Sequence, residues 1–244
     1  MCPCSLQALL QVDLKLHDLG VNDTIEQVRA LAQRTVTDVR YPIVKTYTLD
    51  AIWVLYDRVL RVDPKRPDDP ARDRFLLSKG HGPSAFYAVL AAKGFFPVAW
   101  LDRIATLESP LGSHPDATLV PGAEMSAGSL GHGLPLGVGI AHGLRADGFP
   151  DSRVFVLVGD AELDEGSNHE AIAYAGAVGL ANLNVIVADN GSATHGWNGG
   201  IASRFEVNGW SAAHVDAHDH EALYRSFTTS HPDRPHVTVA AHRP

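Results

Sequence analysis

The sequence predicts an α/β domain: a doubly wound, mostly parallel sheet with helices on both faces. Three observations predict it. Two apolar runs, RVFVLVG (153–159) and NVIVADN (184–190), lack polar alternation, as strands covered on both faces do. The segment between them, HEAIAYAGAVG (169–179), has apolar residues at helical spacing, so strand, helix and strand form a βαβ unit. A fainter pair follows, helix HEALYRSFTTS (220–230) and strand HVTVAA (236–241).

The remaining elements follow from the N-terminus. NDTIEQVRALAQRTVTD (22–38) carries a helical apolar stripe, with Asn22 or Asp23 placed to cap it. Residues 1–45 read as a helical N-terminal segment of one domain spanning 1–244, with no second domain. LDAIWVLYDRVL (49–60) repeats the helical pattern, and the prolines and mixed charges of DPKRPDDPARDR (63–74) predict a surface loop. Helices through AFYAVLAAKG (85–94) and PLGVGIAHGLRA (135–146) then alternate with Gly-rich turns.

Composition bounds the function. A chain of 244 residues, 45% hydrophobic and 20% charged, can build one large core. A formal net charge of −8 argues against a nucleic-acid surface, and no apolar run is long enough for a membrane span. The start, MCPCSLQALLQVDLKLHD, lacks a basic leader and carries Asp13, so a cytoplasmic location is expected. Cys2 and Cys4 are too few for a zinc set and too close together to staple the chain; they read as thiols at a frayed end.

Ligands of such sheets bind beyond the carboxyl ends of the strands. That rule puts GDAELDEG (159–166) and ADNGS (188–192) at one rim, with Asp160 and Asn190 at the ends of successive strands. Hard oxygens of this kind suit Mg²⁺ or Ca²⁺, with a phosphate supplying further ligands. On these residues alone the alternative stays open that Asp160 caps a helix and Asn190 sits in a turn. His169 and Glu170 begin an HExxH pattern that fails at Ala173. HVDAHDH (214–220) has spacing that a transition metal could use. The glycines from 128 to 139 have the wrong spacing for a dinucleotide fingerprint, and no phosphate-loop sequence occurs.

Read together, these segments resemble a known family. GDAELDEGSNHEA, the thirty-residue gap and ADNGS are similar to the diphosphate-binding motif of thiamine diphosphate enzymes, and the acid-rich continuation is most similar to transketolases. LSKGHGPSAFYAVLAAKG (77–94), GSHPD (112–116), PGAEMSAGSLGHGLPLGVGIAHGL (121–144) and RFEVNGWSAAHVDAHDHEAL (204–223) follow the family in the same order, over roughly residues 72–241.

The resemblance implies a diphosphate-binding (PP-type) domain. Asp160 and Asn190 would ligate Mg²⁺ (or Ca²⁺) through side chains and Ser192 through its carbonyl. Gly159 and Ala161 would approach the diphosphate; Ala161 replaces a glycine, which matters if that position needs φ > 0. Gly128 and Leu130 would meet the aminopyrimidine ring, and His81 the cofactor's reactive face. His114 would contact donor hydroxyls, and His132 would be a site wall. Glu165 would lie at a subunit interface beside the partner's aminopyrimidine site. Glu162 and Asp164 read only as solvated charges at a helix entry, and HVDAHDH matches a structural turn of the family.

The resemblance also shows two departures. DVRYPIVKTYTLDA (38–51) stands where the family has a Ser-Gly-His-Pro-Gly turn, and VTVAAHRP (237–244) ends where the family continues into a loop with another substrate histidine. The sequence supplies no pyrimidine-binding domain. The expectation is therefore the diphosphate-binding subunit of a split transketolase, active only with a pyrimidine-binding partner in an α₂β₂ complex. It would move a two-carbon ketol unit from a small keto donor to an aldehyde-type acceptor. The alternatives are a dehydrogenase-like or decarboxylating thiamine enzyme that loads a two-carbon unit onto a carrier, and a non-catalytic assembly subunit.

Overall fold

The structure, a computed structural model, describes residues 24–35, 48–80 and 82–242. Strands β1 (Arg74–Leu77), β2 (Val154–Gly159), β3 (Leu183–Asp189), β4 (Ser211–Asp216) and β5 (His236–Ala241) form one parallel sheet in the order β1-β2-β3-β5-β4. Every residue of β2 is buried, which is why its sequence is a continuous apolar run.

Both faces are covered. Phe155, Leu157, Ile186 and Ala240 point to one side, into a core shared with α1 (Ile25–Arg34), α2 (Leu49–Val54), α3 (Pro83–Ala92) and α7 (His220–Thr228). Val154, Val156, Val158, Val185, Val187, Val237 and Val239 point to the other, against α4 (Gly133–Ala146), α5 (Gly166–Ala177) and α6 (Gly200–Glu206). The period of two along each strand divides the apolar residues between the two cores, and each fully buried Val, Leu or Phe contributes about 1.5–3 kcal/mol.

The expected architecture is present, with local corrections. Helix α1 is capped by Thr24, not by Asn22 or Asp23, which lie outside the described residues together with most of the 1–45 segment. The Thr24 side chain accepts from Gln27 N while the Gln27 side chain accepts from Thr24 N, a reciprocal cap that satisfies two otherwise free N–H groups. Helix α2 passes into a π-helical turn, Leu55–Val59. Strand β1 begins at Arg74, inside the run read as loop, and β4 and α6 were not legible as elements.

At the amino end of the sheet Asp73 is fully buried beneath Arg61 and Arg153. Burial pushes its pKa up, but hydrogen bonds from both arginines outweigh that and hold it below the usual carboxylate range. Among the described residues no helix is long and apolar enough to cross a membrane.

Candidate functional site

Strands β2 and β3 are neighbours in register, Gly159 opposite Ala188, so the residues that follow them, Asp160 and Asn190, emerge side by side at the carboxyl rim. Asp160 is 2% exposed. Its carboxylate accepts from Ser192 N at 2.5 Å, Ser192 Oγ at 2.7 Å and Ala193 N at 3.0 Å. The loop leaving β3 thus folds back over the end of β2. Asn190 Oδ1 is buried without a hydrogen-bond partner. Such an orphan costs about 1–3 kcal/mol, and an amide oxygen beside a buried carboxylate is a donor set that a small hard cation takes. The residues present therefore fit the metal that the sequence implied. Among the described residues no three His, Cys, Asp or Glu side chains form a metal-binding group, those of HVDAHDH included. A cation at this rim would combine one carboxylate with amide and backbone oxygens.

Two further loops close on the same rim. His114 Nδ1 donates to Gly80 O at 3.0 Å; a carbonyl only accepts, so the neutral ring keeps Nε2 as its acceptor. A Cβ on Gly80 would lie 3.6 Å from His114 Cε1 and 3.7 Å from Gly128 O, and one on Gly128, where φ is +136°, 3.4 Å from His114 Cδ2. Gly80, His114, Gly128 and the exposed Leu130 thus meet in space although they span fifty residues of sequence. His81 lies outside the described residues. His132 is exposed at the N-cap of α4 and makes no side-chain cap. Ala161 opens a 3₁₀ turn, and positive φ occurs at no described non-glycine residue except Ala105, so alanine costs no backbone strain there.

Glu162 corrects the sequence reading. It is not a solvated charge: it is 1% exposed. Its Oε1 accepts from Gly131 N at 3.0 Å and from the Ser78 hydroxyl, and its Oε2 accepts from Gly159 N at 3.1 Å. One carboxylate therefore ties together the end of β1, the Gly-rich turn before α4 and the end of β2. Asp164 is also less solvated than expected, lying 3.7 Å from the buried Arg204 and accepting from His195 N. Arg204 in turn contacts His169 and packs over Trp197. Glu165 is exposed on this chain and N-caps α5 through its backbone, its side chain packed against Gly131.

Lys79 is a site residue that sequence reasoning passed over. It is buried, and its Nζ stands 2.6 Å from where a Cβ on Gly159 would be. Burial lowers its pKa, against the opposing pull of Asp160 and Glu162. The signal available in the sequence was positional: a lysine two residues after a buried strand, facing the turn that carries Asp160 and Glu162.

Comparison with known proteins gives a consistent picture. Residues 21–242 match the family model described as transketolase, thiamine diphosphate binding domain. The chain is 53% identical over 215 residues to a protein named Ferredoxin fas2 of Rhodococcoides fascians, covering 88% of this chain and 71% of that one. It is 36% identical over 193 residues to one of the subunits of the apulose-4-phosphate transketolase of Actinobacillus succinogenes, covering 76% of this chain and 70% of that one. The solved transketolase of Pichia stipitis in complex with sedoheptulose 7-phosphate superposes with a TM-score of 0.72 at 26% identity over 89% of this chain. The chain spans 36% of the length of that enzyme.

Proposed function

The chain belongs to the transketolase family, through its thiamine diphosphate-binding domain, and from that premise we propose that it is the diphosphate-binding subunit of a two-component transketolase. The observation that carries the reading is the buried, unpartnered Asn190 Oδ1 beside the enclosed Asp160 at the carboxyl rim. Thiamine diphosphate supplies, when bound, the nucleophilic carbon through which a two-carbon ketol unit passes from a keto donor to an aldehyde-type acceptor.

This chain's residues bind and orient. Asp160, Asn190 and the Ser192 carbonyl hold Mg²⁺ (or Ca²⁺) against the diphosphate, a hard cation on hard oxygens. Gly159 and Ala161 give the backbone close approach to the phosphates, and Gly128 and Leu130 border the aminopyrimidine. His81 and His114 face the donor; the Nε2 of His114, left as an acceptor by the bond to Gly80, accepts a hydrogen bond from a donor hydroxyl. Glu165, exposed on this chain, is completed by the partner, a pyrimidine-binding subunit. The exposed apolar side chains Leu136 on α4, Tyr174 on α5 and Val178 just beyond its end suit the same partner. A closed twofold α₂β₂ assembly, working in the cytoplasm, accommodates two such sites.

The test is reconstitution with the pyrimidine-binding chain. Calorimetry is expected to show Mg²⁺-dependent thiamine diphosphate binding by the complex, lost in Asp160→Ala with the fold retained, and ketol transfer by the complex but not by this chain alone. Undiminished cofactor affinity in Asp160→Ala removes the metal assignment; robust transfer by the isolated chain removes the two-component reading.

A further inference from the structure

A cavity of about 280 Å³ opens at the amino end of β1, where the loop of residues 62–72 meets the loop of residues 117–124. The strands are parallel, so this is the end of the sheet opposite the rim that carries Asp160. Its wall is largely aromatic. Tyr56 stands edge-on to Phe75 at 5.7 Å and to Phe95 at 6.0 Å between ring centres, and Leu119, 55% exposed, borders the opening. The second loop is shaped to lie close against this wall: a Cβ on Gly122, where φ is +87°, would fall 2.6 Å from Phe95 Cδ1.

The polar groups of the cavity are not spent on one another. Tyr56 is 8% exposed, and its hydroxyl has no hydrogen-bond partner among the described residues. A buried tyrosine hydroxyl ordinarily finds one. Burial, and then the nearby Glu124, push its pKa up, so the phenol keeps its proton. Arg72 gives four of its five N–H groups to Pro67 O, Asp73 O and both oxygens of Glu124, which leaves one for an incoming anion. Acceptors are more plentiful. Glu124 keeps lone pairs on both oxygens, and Asp68 on the same wall has neither a hydrogen bond nor an ion pair among the described residues. Asp63 is held as a carboxylate by Lys65 N and Arg66. Three carboxylates thus line the cavity against one guanidinium, and the balance favours a cation that donates hydrogen bonds. An inorganic cation would leave the aromatic wall unused.

We propose that this cavity is a second ligand site, which binds an arylalkyl amine as its ammonium ion, with the ring against Phe75 and Phe95 and the ammonium donating to the Tyr56 hydroxyl oxygen and to Glu124. The site is separate from the cofactor rim and does not depend on the transketolase reading. Its volume lies near the lower end of the range that small-molecule sites occupy, which suits a single ring carrying a short chain.

The test is calorimetry on the full chain with three probes: phenethylamine, phenylacetate, which reverses the charge on a similar body, and propylamine, which keeps the charge without the ring. Phenethylamine is expected to bind saturably, one to one, and roughly tenfold or more tighter than either of the others, the worth of a charge-assisted hydrogen bond or of a buried ring. Phenylacetate or propylamine binding as tightly as phenethylamine overturns the proposal, as does phenethylamine heat that never saturates. Tyr56→Phe, which keeps the ring packing, is expected to weaken phenethylamine roughly three- to tenfold, the value of one lost hydrogen bond. Ala117→Trp, which fills the cavity from an exposed wall residue, is expected to abolish binding with the urea midpoint unchanged. Undiminished affinity in Ala117→Trp places the amine elsewhere and overturns the site even where Tyr56→Phe fails to fold.

Discussion

Replacing Glu162 by glutamine tests whether one carboxylate organises the rim. The substitution keeps the volume and exchanges one acceptor oxygen for an amino group. In the better orientation the amide oxygen still serves Gly131 N and the Ser78 hydroxyl, and the amino group meets Gly159 N, donor against donor. A buried N–H left without an acceptor costs about 1–3 kcal/mol. Lys79, itself buried, also loses one of its two neighbouring carboxylates. The chain is therefore expected to lose roughly 2–3 kcal/mol, because the weaker compensation of a buried charge adds to the orphaned donor. In equilibrium urea unfolding, with a slope of ~2–3 kcal/mol/M, that is a fall in midpoint of about 1 M at unchanged slope. Adding Lys79→Met to Glu162→Gln is expected to recover part of the loss, since groups in contact couple rather than add. A midpoint within about 0.2 M of the parent chain, far below the donor cost, or strictly additive single losses, refutes the reasoning.

Other outcomes follow from the same geometry. Gly131→Ala places a Cβ 2.6 Å from Ser167 Oγ and 2.7 Å from Glu165 Cβ at a φ of +80°. It is expected to destabilise by about 1–3 kcal/mol, and a thermal midpoint equal to that of the parent chain contradicts the packing described. His236, held between Ser211 and Ser226 and stacked on His231, has its pKa pushed down by burial to about 4. The folded value is below the unfolded one of about 6.5, so the unfolded chain takes up the proton first; stability is full above that value and falls towards pH 4 by on the order of 3 kcal/mol. His236→Gln is expected to flatten urea midpoints across that window, and an unchanged slope assigns the acid sensitivity elsewhere. His114→Ala removes the ring that Gly80 and Gly128 enclose. Stopped-flow donor cleavage by the complex is expected to slow at least tenfold with cofactor affinity within about threefold, the worth of one neutral hydrogen bond; equal losses in both place His114 against the cofactor instead.

How much of this was legible depended on what each residue needed from distant ones. Strands β2, β3 and β5 were visible because burial on both faces makes each run predominantly apolar. Strand β4, SAAHVD, is a half-exposed edge with neither a continuous apolar run nor a clean alternation, and β1 is four residues long behind a proline-rich stretch. Asp160 and Asn190 could be picked out because each ends a strand that was itself visible. Glu162 could not be separated from its acidic neighbours: its three donors come from Ser78, Gly131 and Gly159, and the first two are 84 and 31 residues away. Asp50 and His218 are 168 residues apart, and no local pattern shows that a helix-opening acid and a turn histidine will meet. Geometry that joins neighbouring strands is readable; geometry that depends on which loop folds over which is not.

The order β1-β2-β3-β5-β4 also sets a sequence of events during synthesis. Strand β4 leaves the ribosome before β5, yet among the described residues β5 is its only partner in the sheet. Until residues 236–241 slot between them, β3 and β4 each present an open edge, the kind of surface on which nascent chains pair wrongly. The sheet therefore cannot zip up from one end as it emerges; a late strand must insert into a gap held by the helices already docked. The same insertion brings His242 to His218, so the last of these five strands to be translated both seals the sheet and joins the two histidines.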